Sequence, residues 1–132
     1  HVPGHTTGHI VFYFFQEKLA FTGDTLFSLG CGRIFEGTYE QMYESLNKIK
    51  SLPKETKIYC VNEYTLSNSK FCVKNDPDNQ HLQKKIEHIQ KLTSNGLPTN
   101  PTTIKEELHC NIYLRATNLE SFSKLRDLKD NF

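Results

Sequence analysis

The segment Phe21–Phe27, with the sequence FTGDTLF, constrains the fold of this chain more than any other stretch. The apolar run that leads into it predicts the end of a buried strand, and Gly23 allows the backbone to turn there. Asp24 is then presented at the strand's edge, where a carboxylate can bind a metal ion or act as an acid or base. A lone Gly-Asp pair more often forms a turn in which the aspartate bonds its own backbone. The glycine-rich loops at residues 1–9 and 30–38, which flank the segment, favour the functional interpretation.

A β-hairpin is predicted around this segment. Residues 9–15 form a nearly unbroken apolar run, typical of a strand covered on both faces, and residues 19–22 return after a polar turn. Antiparallel strands of similar length bring their outer ends together, so we expect His5 and Asp24 to be neighbours. The spacing of His5 and His9 matches a helical metal pair, but the glycines and proline around them argue against a helix. One of these histidines could bind metal while the other hydrogen-bonds the loop.

The rest of the chain adds one more strand and several helices. Thr38 and Gln41 form a capping-box pattern that predicts a helix at about residues 39–51, and the β-branched and aromatic residues 56–61 predict a strand. From Leu66 onward the pattern is helical and polar. Three helices are predicted there: one that starts at Asp76-Pro77 and stops at Gly96, a short one opened by a second capping box at Thr103–Glu106, and a last one at about 118–131.

The last of these helices carries two cations. Arg126 and Lys129 lie next to an apolar face that contains Phe122, Leu125 and Leu128. From spacing alone, this arrangement favours a solvated helix face for the two charges.

Composition and charge exclude several classes of function. The 132 residues carry a net charge of +1 with both signs interspersed, so there is no basic footprint for nucleic acid. No apolar run is long enough to span a membrane, and no secretory signal opens the chain. Cys31, Cys60, Cys72 and Cys110 lack paired spacing, which predicts reduced, mostly buried thiols and a cytoplasmic location rather than disulfides or a zinc ribbon. Because His1 lies inside a loop motif, we expect the chain to be a fragment.

Several motifs, taken in chain order, resemble glyoxalase II, the hydroxyacylglutathione hydrolase of the metallo-β-lactamase superfamily. They are PGHTxGH at residues 3–9, FTGDTLF at 21–27, CGRxFEGT at 31–38 and EYTxxNxKF at 63–71. Further along, PTxPxT at 98–103, the pair Glu106-Glu107 and RxxKDNF at 126–132 are similar to the C-terminal helical domain of that family. The resemblance therefore covers the whole chain.

The resemblance implies an α+β fold. Residues 1–65 would form the second half of a metallo-β-lactamase-like αβ/βα sandwich, and residues 66–132 a C-terminal helical domain of the glutathione-binding type. It also implies a centre of two metals, usually zinc or iron, and the hydrolysis of S-lactoylglutathione to lactate and glutathione. The expected partners are a glutathione thioester and the remaining N-terminal half of the fold, with no nucleic acid and no membrane.

The resemblance also implies roles for individual residues. His5 matches a ligand of one metal, Asp24 matches the carboxylate that bridges both, and Asn62 aligns with the family's final histidine ligand. The residues that match positions holding the glutathione part of the substrate, where cations meet its carboxylates, are Arg33, Phe35, Tyr64, Arg126 and Lys129. The family often has tyrosine at the position of Phe35, so one hydrogen bond to substrate is lost here.

Two departures from the family pattern limit the expected activity. The family's His-x-His-x-Asp-His motif, which supplies most of the metal ligands, occurs nowhere in these residues. Asn62 offers a neutral amide oxygen in place of imidazole, which is a poor substitute on zinc. We therefore expect a chain descended from a thioester hydrolase that does not catalyse by itself, and we assign no catalytic residue. Two alternatives stay open: a non-enzymatic module that binds glutathione conjugates, and a decayed gene product.

Overall fold

The computed structural model describes all of residues 1–132. Its strands are β1 (Phe12–Phe14), β2 (Leu19–Gly23), β3 (Leu26–Phe27), β4 (Gly30–Cys31), β5 (Lys57–Cys60) and β6 (Thr102–Thr103). Its helices are α1 (Tyr39–Lys50), α2 (Thr65–Asn75), α3 (Gln80–Ser94), α4 (Ile104–Cys110), α5 (Ile112–Arg115) and α6 (Leu119–Asp130).

Four of the strands form one mixed sheet in the order β1-β2-β5-β6. β1 runs antiparallel to β2, β2 runs parallel to β5, and β5 runs antiparallel to β6. β6 comes from the helical half of the chain, where Thr102 pairs with Ile58 of β5. The two halves of the chain therefore share one sheet. β3 and β4 form a separate two-stranded hairpin.

The predicted hairpin of β1 and β2 is confirmed, with Phe12 opposite Phe21 and Tyr13 opposite Ala20. Ala20 is fully buried in the core and Tyr13 packs against it. The expectation that both faces of the first strand are covered is wrong for this chain. Phe12 and Phe14 are 58% and 48% exposed, because neighbouring strand residues point to opposite faces and the core covers only one of them.

The capping box predicted for the first helix is confirmed. The Thr38 hydroxyl accepts from the Gln41 backbone N–H at 3.1 Å, and the Gln41 side chain accepts from the Thr38 N–H at 3.0 Å. These reciprocal bonds satisfy donors that the helix itself leaves free, so α1 begins where the local pattern predicts. Its apolar face then buries Met42 and Leu46 in the core.

The helix predicted at Asp76-Pro77 begins later, at Gln80. Asn79 is its N-cap: the side-chain oxygen accepts from the Leu82 N–H at 3.2 Å, and the amide donates to Asp76 at 2.9 Å. Because Asn79 satisfies the cap, the residues before it form the turn after α2 instead of the first turn of α3. One face of α3 packs against the core, with Leu82 and Ile89 buried.

The two remaining predicted helices are confirmed. Thr103 caps α4 by accepting from the Glu106 N–H at 3.1 Å, and Asn118 caps α6 by accepting from the Ser121 N–H at 2.8 Å. All four cysteines are free and three are buried, as their spacing predicts. No helix of the chain combines the length and the apolar character that crossing a membrane requires.

Candidate metal and substrate site

The candidate site lies at the edge of the sheet where β2 and β5 end. Gly23 lies opposite Cys60 in this parallel pair, and the Val61 N–H donates to the Gly23 carbonyl at 3.5 Å. Parallel strands end at the same edge of a sheet, so the residues that follow them, Asp24 and Asn62, lie at that edge. The predicted position of Asp24 at the end of a strand is confirmed, and Asn62 follows the strand that was predicted at residues 56–61.

His5 is held in one orientation beside Asp24. Its Nδ1 lies 2.6 Å from the Arg33 carbonyl oxygen, and a carbonyl can only accept, so Nδ1 carries the proton. Nε2, the other ring nitrogen, lies 3.9 Å from Asp24 Oδ2. A hydrogen bond to the second ring nitrogen is how proteins orient a metal-binding histidine. The prediction that His5 and Asp24 are neighbours is confirmed, and their role as ligands stays a prediction.

His9 supports the turn that presents Asp24. Its Nε2 accepts from the Asp24 backbone N–H at 3.2 Å. Gly23 has a φ of 54°, and a Cβ at this position would lie only 2.6 Å from that same ring nitrogen. The close approach of His9 therefore requires glycine here. The ring of His9 thus hydrogen-bonds the turn after β2 rather than the opening loop, and metal binding by one of the pair His5 and His9 stays a prediction.

The donor groups present match only part of a metal site. One imidazole nitrogen, from His5, and one carboxylate, from Asp24, face each other, and Asn62 adds a neutral amide at the same edge. Nowhere in the chain do three or more His, Cys, Asp or Glu side chains come together in a way that could hold a metal ion. A catalytic zinc site takes three protein ligands, so residues 1–132 do not complete one.

Two of the predicted substrate residues share one carboxylate. Asp130 Oδ1 lies 3.4 Å from Arg33 Nε and 2.9 Å from Arg126 Nη2. The structure thus brings together side chains that are far apart in sequence. Arg33 is exposed, whereas Arg126 is only 3% exposed. Arg33 is therefore the member of the pair that a ligand in solution can reach.

The solvated face predicted for Arg126 from spacing is wrong. Its Nη1 donates to the carbonyls of Cys31 at 2.8 Å and Gly32 at 3.3 Å, and the guanidinium lies 5.4 Å from the centre of the Tyr113 ring. The end of β4 presents these carbonyls to α6, and a buried carbonyl needs a donor. Contact between Arg126 and substrate stays a prediction. The geometry supports a role in holding β4 in place.

Lys129 is half-buried on an aromatic surface. Its Nζ lies 5.6 Å from the centre of the Phe71 ring and 5.5 Å from that of Phe132. Burial, and next the charge of Arg126, lower the pKa of the Lys129 ammonium. A partly dehydrated cation beside another cation is well suited to bind a carboxylate, because the anion would offset both the loss of hydration and the repulsion between the two positive charges.

Phe35 and Tyr64 are both exposed aromatic residues. Phe35 is 67% exposed, and its ring lies edge-on to that of His5 with 5.1 Å between the centres. Tyr64 is 49% exposed and packs edge-on against Phe27 at 5.3 Å. Both rings are available to a ligand, and only Tyr64 has a hydroxyl to offer.

The site is an open surface in this chain. None of its cavities is lined by a predicted metal or substrate residue. A cavity of about 250 Å³ between α3 and α4, lined by His81, His88 and His109 among others, belongs to a different surface.

Sequence reasoning missed several carboxylates that support the site. Glu36 accepts from the Thr7 N–H at 2.8 Å, and Glu63 accepts from the Thr99 N–H and hydroxyl at 3.1 and 2.6 Å. Asp130 joins the two arginines. Each of these carboxylates lies inside one of the motifs that resemble the family, and that position was the only indication in the sequence that it belongs to the site. The partners could not be identified because they are distant in the chain.

Comparisons with protein families match both halves of the chain. A family model described as the C-terminus of hydroxyacylglutathione hydrolase matches residues 63–132, and one described as the metallo-beta-lactamase superfamily matches residues 1–60. The chain is 66% identical over 132 residues to a hydroxyacylglutathione hydrolase from Pelagibacter ubique, covering 100% of this chain and 55% of the relative. It is 52% identical over 130 residues to one from Prochlorococcus marinus, covering 98% and 53%. The chain spans about half the length of the curated relatives it matches.

Comparisons with solved structures support the fold. ETHE1 from Myxococcus xanthus has a TM-score of 0.63 and 26% identity, covering 96% of this chain and 42% of that one. A B3 metallo-β-lactamase has a TM-score of 0.57 and 24% identity, covering 88% and 40%. A further protein, crystallised in a di-iron-bound form, has the same TM-score of 0.57 with 23% identity, covering 86% and 40%. The predicted α+β fold with a metallo-β-lactamase-like part is confirmed.

Proposed function

Since the chain belongs to the hydroxyacylglutathione hydrolase family, we propose that it forms the glutathione-recognising part of a thioester hydrolase and one side of its metal centre. The reaction of the complete enzyme is the hydrolysis of S-(2-hydroxyacyl)glutathione, such as S-lactoylglutathione, to glutathione and a 2-hydroxy acid. Residues 1–132 alone bind substrate without hydrolysing it. The metals of the complete centre are zinc or iron, in keeping with the superfamily match and with the di-iron form of one structural neighbour.

The observation that carries this proposal is the orientation of His5. Its Nδ1 is engaged by the Arg33 carbonyl at 2.6 Å, and its free Nε2 faces Asp24 at 3.9 Å. The same residue, Arg33, extends its exposed side chain towards Asp130. One short loop therefore supports a potential metal ligand through its backbone and offers a cation to the substrate through its side chain.

The chain's own residues bind and orient the substrate. Arg33 and the partly dehydrated Lys129 meet the carboxylates of the glutathione part through charge-assisted hydrogen bonds. Phe35 and Tyr64 provide exposed aromatic surface beside them. Positioning of this kind contributes to catalysis only when a nucleophile is also supplied. His5 and Asp24 are too few donors to hold the centre that would supply it.

The recognition part of the proposal is tested by titrating the chain with S-methylglutathione, a thioether that cannot be hydrolysed. We expect weak binding that falls as salt is raised, because Arg33 is exposed. Arg33→Ala should weaken binding about fivefold, as expected for one exposed charge pair. Lys124→Ala is the matched control, since Lys124 is an exposed cation paired only with Glu120 on the outer surface of α6, and it should leave binding unchanged.

Asn62 favours a second candidate function. If the amide at this strand end prevents metal binding in the complete protein too, the chain is a non-enzymatic module that binds glutathione conjugates. Binding of S-methylglutathione with no gain of turnover in any assembled form would support that module. Absence of both binding and turnover would instead support a decayed gene product.

The proposed location is the cytoplasm. The four free cysteines, three of them buried, are compatible with a reducing compartment. The proposed partners are the glutathione thioester and the remaining half of the fold.

A further inference from the structure

The β3–β4 hairpin is held by side chains of the helical half, residues 66–132. These side chains bond to its backbone rather than to its side chains, so they fix the path of the chain. Three side chains donate to hairpin carbonyls: Asn111 Nδ2 to Phe27 and Gly30 at 3.4 and 3.1 Å, Asn68 Nδ2 to Ser28 at 3.1 Å, and Cys72 Sγ to Leu29 at 3.2 Å. A fourth, Glu107, accepts from the Leu29 N–H at 2.6 Å through its Oε1 atom.

Leu29 makes the hairpin depend on these contacts. Its φ is 60°, in the left-handed region that residues with a Cβ seldom adopt. Such a conformation persists only where surrounding contacts hold it. The bond from the Leu29 N–H to Glu107 is the shortest of those made to this turn, and the Leu29 side chain is only 1% exposed. Loss of the acceptor on Glu107 would therefore release the turn.

The Glu107 carboxylate itself has a single position. It is fully buried, and its second oxygen, Oε2, accepts from Lys85 Nζ and from the Thr102 hydroxyl, each at 2.8 Å. Oε1 accepts from Asn111 at 3.1 Å in addition to Leu29. Burial lowers the pKa of Lys85, but the neighbouring Glu107 and Glu106 together outweigh burial and raise it. The Lys85 ammonium therefore stays charged beside the carboxylate, whose two oxygens are both engaged by hydrogen bonds.

The hairpin leads directly into the candidate site. The Gly32 N–H donates to the Thr25 carbonyl at 3.1 Å, and a Cβ on Gly32 would lie 1.9 Å from the Asp24 carbonyl oxygen. The backbone is thus in contact with the Asp24 turn, with no space between them. The next carbonyl, that of Arg33, accepts from His5 Nδ1 at 2.6 Å. A shift of the hairpin would therefore move the group that orients His5.

We propose that Glu107, together with Asn111, is a positioning residue for His5. It acts through the hairpin backbone and the Arg33 carbonyl, along the path from Glu107 to Leu29 to Arg33 to His5. The consequence for catalysis rests on the proposed function. The coupling itself concerns only the orientation of an imidazole and can be measured in these 132 residues without substrate or metal.

The test is the tautomer of His5, read from the ring nitrogen-15 shifts at about pH 8, where histidine is neutral. The unaltered chain should show the Nδ1–H form at His5. Glu107→Leu removes the acceptor of the Leu29 N–H and should move the population about fivefold towards the Nε2–H form, the factor that one neutral hydrogen bond supplies. Glu107→Gln keeps an oxygen for Leu29 while losing the charge, so it should lower stability and leave His5 as it was.

Two further variants separate positioning from general stability. Ile89→Ala removes buried side chain from α3 but none of the groups that bond Glu107, and should destabilise the chain without changing the His5 tautomer. Asn111→Ser removes the donors to the hairpin carbonyls and should shift His5 in the same direction as Glu107→Leu, which keeps the test decisive if Glu107→Leu does not fold. An unchanged His5 in the folded hairpin variants, or an equal change in Ile89→Ala, would overturn the proposal.

Discussion

Two arginines bind the same carboxylate, and their burial separates their roles. Arg126 is buried, and its guanidinium joins two carbonyls at the end of β4 to Asp130 on its own helix. Arg33 reaches Asp130 from solvent, with 55% of its side chain exposed. The buried Arg126 therefore stabilises the folded structure, whereas the exposed Arg33 is free to exchange Asp130 for a ligand.

Stability measurements should reproduce this division. Arg126→Ala leaves the Cys31 and Gly32 carbonyls buried without a donor and should lower the free energy of unfolding by about 3 kcal/mol. Arg33→Ala removes only an exposed pair and should change it by no more than about 0.5 kcal/mol. Urea unfolding of the two variants gives the comparison. Equal costs would mean that the buried guanidinium contributes no more than a surface charge.

At the scale of elements, Glu63 joins the end of β5 to the loop before β6. Its carboxylate accepts from both the backbone and the side chain of Thr99, and from the Asn100 amide at 3.0 Å. This contact holds the junction that carries Asn62 and Tyr64. The loop and the junction are 36 residues apart in sequence, and this carboxylate joins them directly.

The pH dependence of stability should report this contact. Burial would raise the pKa of Glu63, but the bonds from Thr99 and Asn100 outweigh it and hold the pKa below its ordinary value of 4.5. A depressed pKa stabilises the fold above the unfolded value, and that contribution is lost as pH falls through the folded value. Glu63→Gln should therefore have a lower melting temperature than the unaltered chain at pH 7, and the difference in melting temperature should shrink below about pH 4.5. A difference in melting temperature that stays constant down to about pH 3 would show that it does not come from the depressed pKa of Glu63.

The elements that could be predicted from sequence are those specified by neighbouring residues. Thr38 and Gln41 lie three positions apart and cap each other, so their helix was predictable, as was the hairpin that brings His5 to Asp24. The buried environments of Arg126 and Glu107 could not be predicted from sequence. Their partners lie 95 and 78 residues away, and no local pattern encodes burial beside a particular distant carbonyl or N–H.

At the scale of the whole molecule, one face of the main sheet is uncovered. Phe12, Phe14 and Phe21 are all more than 40% exposed, Phe14 packs edge-on against Phe21, and Phe21 stacks on Tyr59 at 5.3 Å. The family resemblance implies that a second sheet covers this face in the complete sandwich. In these residues alone it is a contiguous aromatic surface, of the kind that drives association.

We therefore expect the chain to self-associate in sedimentation experiments. Replacing both Phe12 and Phe14 by Ser should shift it towards the monomer, because the two side chains lie on the exposed face and contribute little to the core. Leu128→Ser, at an exposed apolar position on α6, is the matched control and should leave association unchanged. A monomeric, cooperatively unfolding unaltered chain would show instead that this half of the fold is self-sufficient.

We propose that residues 1–132 recognise a glutathione thioester without hydrolysing it, and that Asn62 limits the assembled enzyme. The direct test is a steady-state assay of S-lactoylglutathione hydrolysis by this chain, alone and mixed with the part of the Pelagibacter ubique relative that it does not cover. We predict no turnover above background for the chain alone, little for the mixture, and metal-dependent turnover for the mixture with Asn62→His, because imidazole would supply the absent ligand. Robust metal-dependent turnover of the mixture with Asn62 in place would contradict the claim.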